Sequence, residues 1–153
     1  MKVEIERKFL VTSNRFKDNY TKKIDIVQGY LNVTGAAITR IGIENDDISK
    51  VNIKEFTRSI SRKEFEFNIS INDGRELIKL CGDKIVKKTR WHCHSNGFLW
   101  EVAEFYGHNK GLILAEIELD SEDQKFIKPD WVGKDVSQLK KYYNTSLAQV
   151  RYV

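Results

Sequence analysis

Apolar and polar residues alternate with a period of two along most of this chain, a pattern that predicts strands rather than helices. Eight strands are predicted, at about residues 2–11, 23–33, 36–43, 48–56, 61–71, 84–93, 97–106 and 112–120. Asn96-Gly97 is a tight-hairpin signal between the sixth and seventh, and Tyr106 to Gly111 reads as a longer turn before the eighth. Helical signals are fewer. Asn72 to Gly82 has a cap-like start, apolar residues at 77, 78 and 81, and a terminating glycine. Ser121-Glu122-Asp123-Gln124 opens like a short capped helix, and Asp135 to Gln149 places Val136, Leu139, Tyr143 and Leu147 on one helical face. No repeat or linker interrupts the 153 residues, so residues 1–153 are read as one mainly β domain of the α+β class.

The charges fall on strand faces in a recurrent way. In the first strand Val3, Ile5 and Phe9 share a face broken by Arg7, and Glu4, Glu6 and Lys8 occupy the other. Glu64 and Glu66 share a face of the fifth strand, Lys88 and Arg90 of the sixth, and Glu116 and Glu118 of the eighth, with Ala115, Ile117 and Leu119 opposite. Eight antiparallel strands tend to close, because an open sheet leaves unpaired edges. Such a barrel has an interior wide enough for side chains or one small ligand. Either the apolar faces turn inward and the charges are surface, or the apolar faces are covered from outside and charges of both signs line the interior. Spacing leaves both open, although short helices with apolar faces need an apolar surface to sit on, which favours the second.

Composition narrows the function classes. With 41% hydrophobic and 31% charged residues, intrinsic disorder is excluded. One Pro and nine Gly exclude a linker-dominated chain. The net charge of +4, from 26 Lys+Arg against 22 Asp+Glu, comes without a basic patch interleaved with aromatics, so no nucleic-acid partner is expected. No apolar stretch is long enough to cross a membrane as a helix, and the charged opening MKVEIERK lacks a signal region. Two cysteines, Cys81 and Cys93, make no disulfide framework, and a cytoplasmic, reducing setting is expected. Oligomeric state is not legible. His92 and His94 flank Cys93 near the hairpin turn without a second ligand pair, so they are read as rim residues, and His108 as a turn residue.

An ordered set of motifs carries a family resemblance. Glu4-Ile5-Glu6-Arg7-Lys8 resembles the ExExK signature that opens the CYTH proteins, the triphosphate tunnel metalloenzymes. Gln28-Gly29-Tyr30-Leu31, Ser61 to Glu66, Lys88-Thr89-Arg90-Trp91, Trp100-Glu101-Val102, Ala115 to Leu119 with Glu122-Asp123, and Tyr142-Tyr143-Asn144 follow in the same order. The resemblance spans almost the whole chain and is to the short bacterial inorganic triphosphatases. It implies a closed eight-stranded antiparallel tunnel with flanking helices and a C-terminal plug helix, a small triphosphate substrate, and Mg²⁺ or Mn²⁺. Hard divalent cations take carboxylate oxygens, and a polyanion needs Lys and Arg donors in a dry channel.

On that resemblance Glu4, Glu6, Glu116 and Glu118 are the metal candidates. Lys8, Arg40, Lys54, Lys88 and Arg90 form the phosphate clamp, with Arg62 a weaker member. Lys8, Glu6 and Tyr30 are the catalytic candidates, Tyr30 being expected to set the position or protonation of Lys8. Glu64, Glu66 and Glu101 are supporting acids that hold a second metal or orient basic side chains. Lys140 or Lys141 is expected near a tunnel mouth. Two positions depart from the family pattern: Gly42 stands where a second arginine is usual, and Ala103 where an acid follows Glu101, with Glu104 on the opposite face. The leading function is metal-dependent hydrolysis of inorganic triphosphate. Adenylate cyclase, thiamine triphosphatase, and a non-catalytic phosphate or polyphosphate-binding module are the alternatives, the last encouraged by Gly42 and Ala103.

Overall fold

The computed structural model describes residues 1–149. The strands are β1 (Lys2–Val11), β2 (Tyr20–Tyr30), β3 (Ala37–Glu44), β4 (Ile48–Glu55), β5 (Ser61–Ile69), β6 (Ile85–Ser95), β7 (Phe98–Phe105), β8 (Ile113–Glu118) and β9 (Val132–Asp135), with helices α1 (Ile71–Leu80) and α2 (Asn144–Gln149). The first eight follow the alternation closely. Asn96 and Gly97 take φ of 50° and 80° between β6 and β7, the left-handed pair that a two-residue hairpin needs.

Strands β5-β4-β3-β2-β6-β7-β8-β1 pair side by side, and β5 pairs again with β1, closing an eight-stranded antiparallel barrel. The closure splits β1 between two partners. Lys2 to Ile5 pair with β5, and Glu6 to Leu10 with β8. The short β9 adds to the end of β1 at Phe9 and Val11.

Of the two arrangements the alternation allows, the barrel takes the one with charges inside. Phe9, Trp91, Trp100, Val102, Ala115 and Ile117 point outward, beneath Phe16, Leu119, Trp131 and Val132 of the covering segments. Edge-to-face contacts such as Phe9–Trp100 (5.6 Å) and Trp100–Trp131 (6.1 Å) knit this layer together. Arg7, the charge that interrupts the apolar face of β1, also lies outside: its Nε donates to Asp135 at 2.9 Å and its guanidinium lies over Phe126. On another flank α1 packs so closely on the sheet that a Cβ at Gly29 would lie 2.7 Å from Cys81 Sγ, and one at Gly74 would collide with Ser49.

A second apolar cluster fills one end of the barrel interior. Tyr30, Ile38, Val86, Phe105 and Leu114 have the same strand parity as the inward charges and pack against Val136, Tyr142, Leu147 and Ala148 of the C-terminal segment. That segment is the plug, but not the continuous 135–149 helix its periodicity predicts. It consists of β9, a 3-10 turn at Lys140–Tyr142 and α2. The backbone explains the break: Val136 N–H donates to Lys8 O (2.8 Å), and Asp135, held by Arg7, accepts from Ser137 N–H (2.8 Å). Those amides pair with β1 or with a turn instead of a preceding helical carbonyl, and Leu139 is left 40% exposed.

The expected helix at Ser121 is likewise a single turn, closed by Gln124 N–H to Ser121 O. Pro129 disfavours helical backbone just upstream, and Phe126 is drawn onto Phe9 and Trp100 instead. Among the described residues no helix is long and apolar enough to cross a membrane.

Candidate functional site

The inward positions of β1 and β8 meet at the middle of the barrel. Pairing of Glu6 with Glu118 and of Lys8 with Glu116 stacks acids and a lysine on neighbouring strands. The Glu6 and Glu116 carboxyls are hydrogen-bonded to each other. Burial, then the charges of Glu116 and Glu4, push Glu6 well above the ordinary carboxyl range. Burial acts on Glu116 too, but Lys8 and Lys88 overcome it and hold that carboxyl well below its ordinary value. Lys8 Nζ stands 3.7 Å from Glu116 and donates to the Tyr142 carbonyl at 3.1 Å.

Around this pair the cations differ in how they are partnered. Lys54 Nζ lies 3.0 Å from both Glu4 and Glu64. Against burial and Arg40, the acids Glu4, Glu6 and Glu64 raise its pKa, so it stays charged. Arg90 is held by Glu101 at 3.0 Å. Lys88 is 3% exposed and forms no ion pair among the described residues. Burial, then Arg90, push its pKa well below that of an ordinary lysine. Arg40 lies against the Tyr30 hydroxyl, while its buried Nε has no hydrogen-bond partner.

Arg40 separates two cavities. The first, of about 70 Å³, is lined by Glu6, Lys8, Tyr30, Lys54 and Arg62, with Tyr143, Asn144 and Thr145 of the plug. The second, of about 100 Å³, lies toward Gly42. A water needs roughly 10–15 Å³ measured this way, so both have room for several waters or a phosphoryl group.

All six predicted phosphate-clamp residues face the interior or its mouth, but not every expected contact is made. Tyr30 is set beside Arg40 and Lys54 rather than being tied to Lys8. Burial raises its pKa, although Arg40 and Lys54 pull the other way, so its hydroxyl keeps its proton. The four metal candidates are not drawn into one set. Glu118 is exposed and paired with Lys2 at 2.7 Å, Glu4 is held by Lys54, and no group of three or more His, Cys, Asp or Glu among the described residues has metal-holding geometry. The supporting acids orient side chains: Glu64 on Lys54, Glu101 on Arg90, and Glu66 accepting from Asn52 Nδ2 at 2.8 Å. Lys140 and Lys141 are both exposed, and neither lines either of these two cavities.

Ala103 is buried and Glu104 points outward to Lys17 (3.0 Å), so no acid replaces the missing one. His92 faces inward, 4.0 Å from Glu101, and its pKa is lowered by burial. The sequence reading missed Gln28, Asn52 and the Tyr142 carbonyl. Gln28 and Asn52 share strand parity with the charges, which is a signal; a backbone carbonyl leaves none.

Comparison with known proteins places this barrel. Residues 2–151 match the CYTH domain, and the chain belongs to that family. It is 36% identical over 150 residues to an inorganic triphosphatase of Acetivibrio thermocellus, covering 97% of this chain and 95% of that protein. An inorganic triphosphatase of Nitrosomonas europaea is 34% identical over 148 residues, covering 95% and 96%. The crystal structure of an inorganic triphosphatase superposes with a TM-score of 0.72 at 33% identity, over 98% of this chain and 97% of that one. A Hippeastrum protein described as having a dominant triphosphatase activity is 14% identical, with a TM-score of 0.60 over 77% and 80%, a likeness of fold.

Proposed function

We propose that this protein hydrolyses inorganic triphosphate in the barrel interior with the help of Mg²⁺ or Mn²⁺, in a cytoplasmic setting. The observation that carries the reading is Lys88: a lysine inside the barrel with no ion-pair partner among the described residues, in the same interior as the Arg40 Nε, which is likewise without a hydrogen-bond partner among them. Burying a cation is costly unless something pairs with it, and a triphosphate supplies several negative charges at once. The relatives named inorganic triphosphatases support the same substrate.

In this reading the phosphates lie among Lys8, Arg40, Lys54, Lys88 and Arg90, with Arg62 at the mouth of the first cavity. Charge-assisted contacts in a dry site position the chain and disperse the charge that builds as the phosphoanhydride bond breaks. Glu6, Glu116 and Glu4 would hold the metal, with Glu118 reaching in from the rim once released by Lys2. Carboxylate oxygens are the donors a hard divalent cation takes, and the proton shared by Glu6 and Glu116 occupies a place a cation would take. When bound, the metal neutralises phosphate charge and makes water a better nucleophile. Glu6 orients the attacking water, Tyr30 keeps Arg40 aimed at phosphate, and Lys8 is steadied by the Tyr142 carbonyl. Water adds to the terminal phosphorus, pyrophosphate leaves, and orthophosphate is the second product.

A phosphate-release assay on inorganic triphosphate, ATP and thiamine triphosphate, with Mg²⁺, Mn²⁺ or EDTA, tests this. Fastest turnover of inorganic triphosphate, abolished by EDTA, is expected. Binding of triphosphate with no release from any substrate would favour the binding-module reading that Gly42 and Ala103 encourage.

A further inference from the structure

The barrel is closed along only part of β5. Ser61 to Glu64 pair with β1, which begins at Lys2 opposite Glu64. From Phe65 to Ile69 the strand has β4 on one side and, among the described residues, no strand on the other. The amides and carbonyls on that side form a free sheet edge, and such groups recruit another strand unless the edge is blunted. Lysine, proline and bulges are common devices for blunting it. Phe65-Glu66-Phe67-Asn68-Ile69 has no lysine or proline, and its register with β4 runs unbroken from Ser49 to Lys54. Its one charge, Glu66, lies on the interior face and accepts from Asn52.

The outer face beside this edge is bare as well. Elsewhere the outside of the barrel is covered by α1 or by the aromatic layer that includes Phe16, Phe126 and Trp131. Here Phe65 and Phe67 are 40% and 54% exposed, and Val3 of β1 is 54% exposed. Val51 and Ile53, opposite Phe67 and Phe65 on β4, are only half-buried. An apolar patch continuous with an unpaired edge is a surface for strand addition, where main-chain bonds and side-chain burial act together.

The sequence of the edge selects its occupant. Two copies of this chain joined edge to edge about a two-fold axis keep the same face outward only when the residue on the axis pairs with itself. An axis through Phe65 sets Glu64 against the partner's Glu66, and one through Glu66 sets the two copies of that glutamate against each other. Like charges directly opposite are destabilising. An axis through Asn68 asks Phe65 to pair with the partner's Ile71, which already belongs to α1. An axis through Phe67 meets none of these obstacles. It uses the whole free segment, with Phe65 against the partner's Ile69 and Glu66 against the partner's Asn68, an acceptor facing an amide donor.

We infer that this protein forms a two-fold dimer by antiparallel addition of β5 to the partner's β5, centred on Phe67. Each open edge gains its missing strand, and Phe65 and Phe67 are covered by their counterparts. The interior side chains take no part, so the dimer does not depend on the reaction proposed for the barrel.

Sedimentation velocity of the full-length protein, from low micromolar to hundreds of micromolar concentration, tests this. The native chain is expected to sediment at twice its monomer mass at the upper concentrations. Phe67→Lys and Phe67→Glu each place like charges on the axis and remove an aromatic side chain from both copies, so each should weaken the dimer roughly a hundredfold or more. An equal mixture of the two variants should recover it, because the axis then sets Lys against Glu, which requires position 67 to face itself. Phe67 is more than half exposed in the single chain, so both variants should keep the native circular dichroism spectrum. A native chain that stays monomeric throughout, dimers that persist in both variants, or two folded variants whose mixture stays monomeric would overturn the assignment.

Discussion

Glu6 and Glu116 lie diagonally across the β1–β8 pair with their carboxyls hydrogen-bonded, one pushed up by burial and the other held down by Lys8 and Lys88. One proton therefore stays in the pair at pH values where an exposed carboxylate has lost it. Glu6, raised above 4.5, stabilises the fold at low pH, and that contribution is lost as pH rises through its raised value. Glu116 contributes in the opposite sense, above 4.5, and loses its share only in strong acid.

In EDTA the melting temperature of the native protein should fall, relative to Glu6→Gln, as pH rises above 4.5 through the raised Glu6 value. In the same window Mg²⁺ binding should release a proton, visible as a binding heat that depends on the ionisation heat of the buffer. A buffer-independent heat would show that the metal binds elsewhere.

Replacing either Glu4 or Glu6 by Gln should lower turnover by roughly two orders of magnitude, because a hard-cation site loses an anionic donor. Steady-state rates at saturating Mg²⁺ check this. Near-native rates in both variants would remove these residues from the metal site.

Lys88 makes affinity depend on pH. Its pKa is lowered by burial and by Arg90, and a bound polyanion raises it again. Binding triphosphate therefore takes up a proton, and affinity weakens as pH rises between the free and bound values. Lys88→Arg stays charged throughout, so its triphosphate Kd, measured in EDTA beside that of the native protein, should vary less with pH. Parallel pH profiles would mean that Lys88 does not face the phosphates.

Gly42 faces the interior with space before it. Gly42→Arg should tighten triphosphate binding about tenfold, by adding a charge-assisted contact of about 1.5–3 kcal/mol at best. Unchanged affinity in a folded variant would place residue 42 out of reach of the substrate.

The strands of this barrel are legible because alternation is a local property, and the extents of β1 to β8 follow it. Which face turns inward is not, because a period of two is the same for both faces. The choice is made by Phe16, Phe126 and Trp131, which cover the outer face from segments with little periodicity of their own. The plug shows the same limit. Val136, Tyr143 and Leu147 have helical spacing, but the Val136 amide bonds to Lys8 on β1, a partner 128 residues away. Within the site, parity put the charged residues on shared strand faces and the family resemblance supplied their expected roles, whereas the pairing of Tyr30 with Arg40 depends on the β2–β3 register, which places them opposite each other.

The most direct measurement follows inorganic triphosphate by phosphorus NMR in the presence of the protein and Mg²⁺. The account predicts equal amounts of orthophosphate and pyrophosphate, formed with Mg²⁺, abolished by EDTA, and strongly slowed in Lys88→Met. Intact triphosphate after prolonged incubation with Mg²⁺ or Mn²⁺, or cleavage that Lys88→Met leaves unchanged, would contradict it.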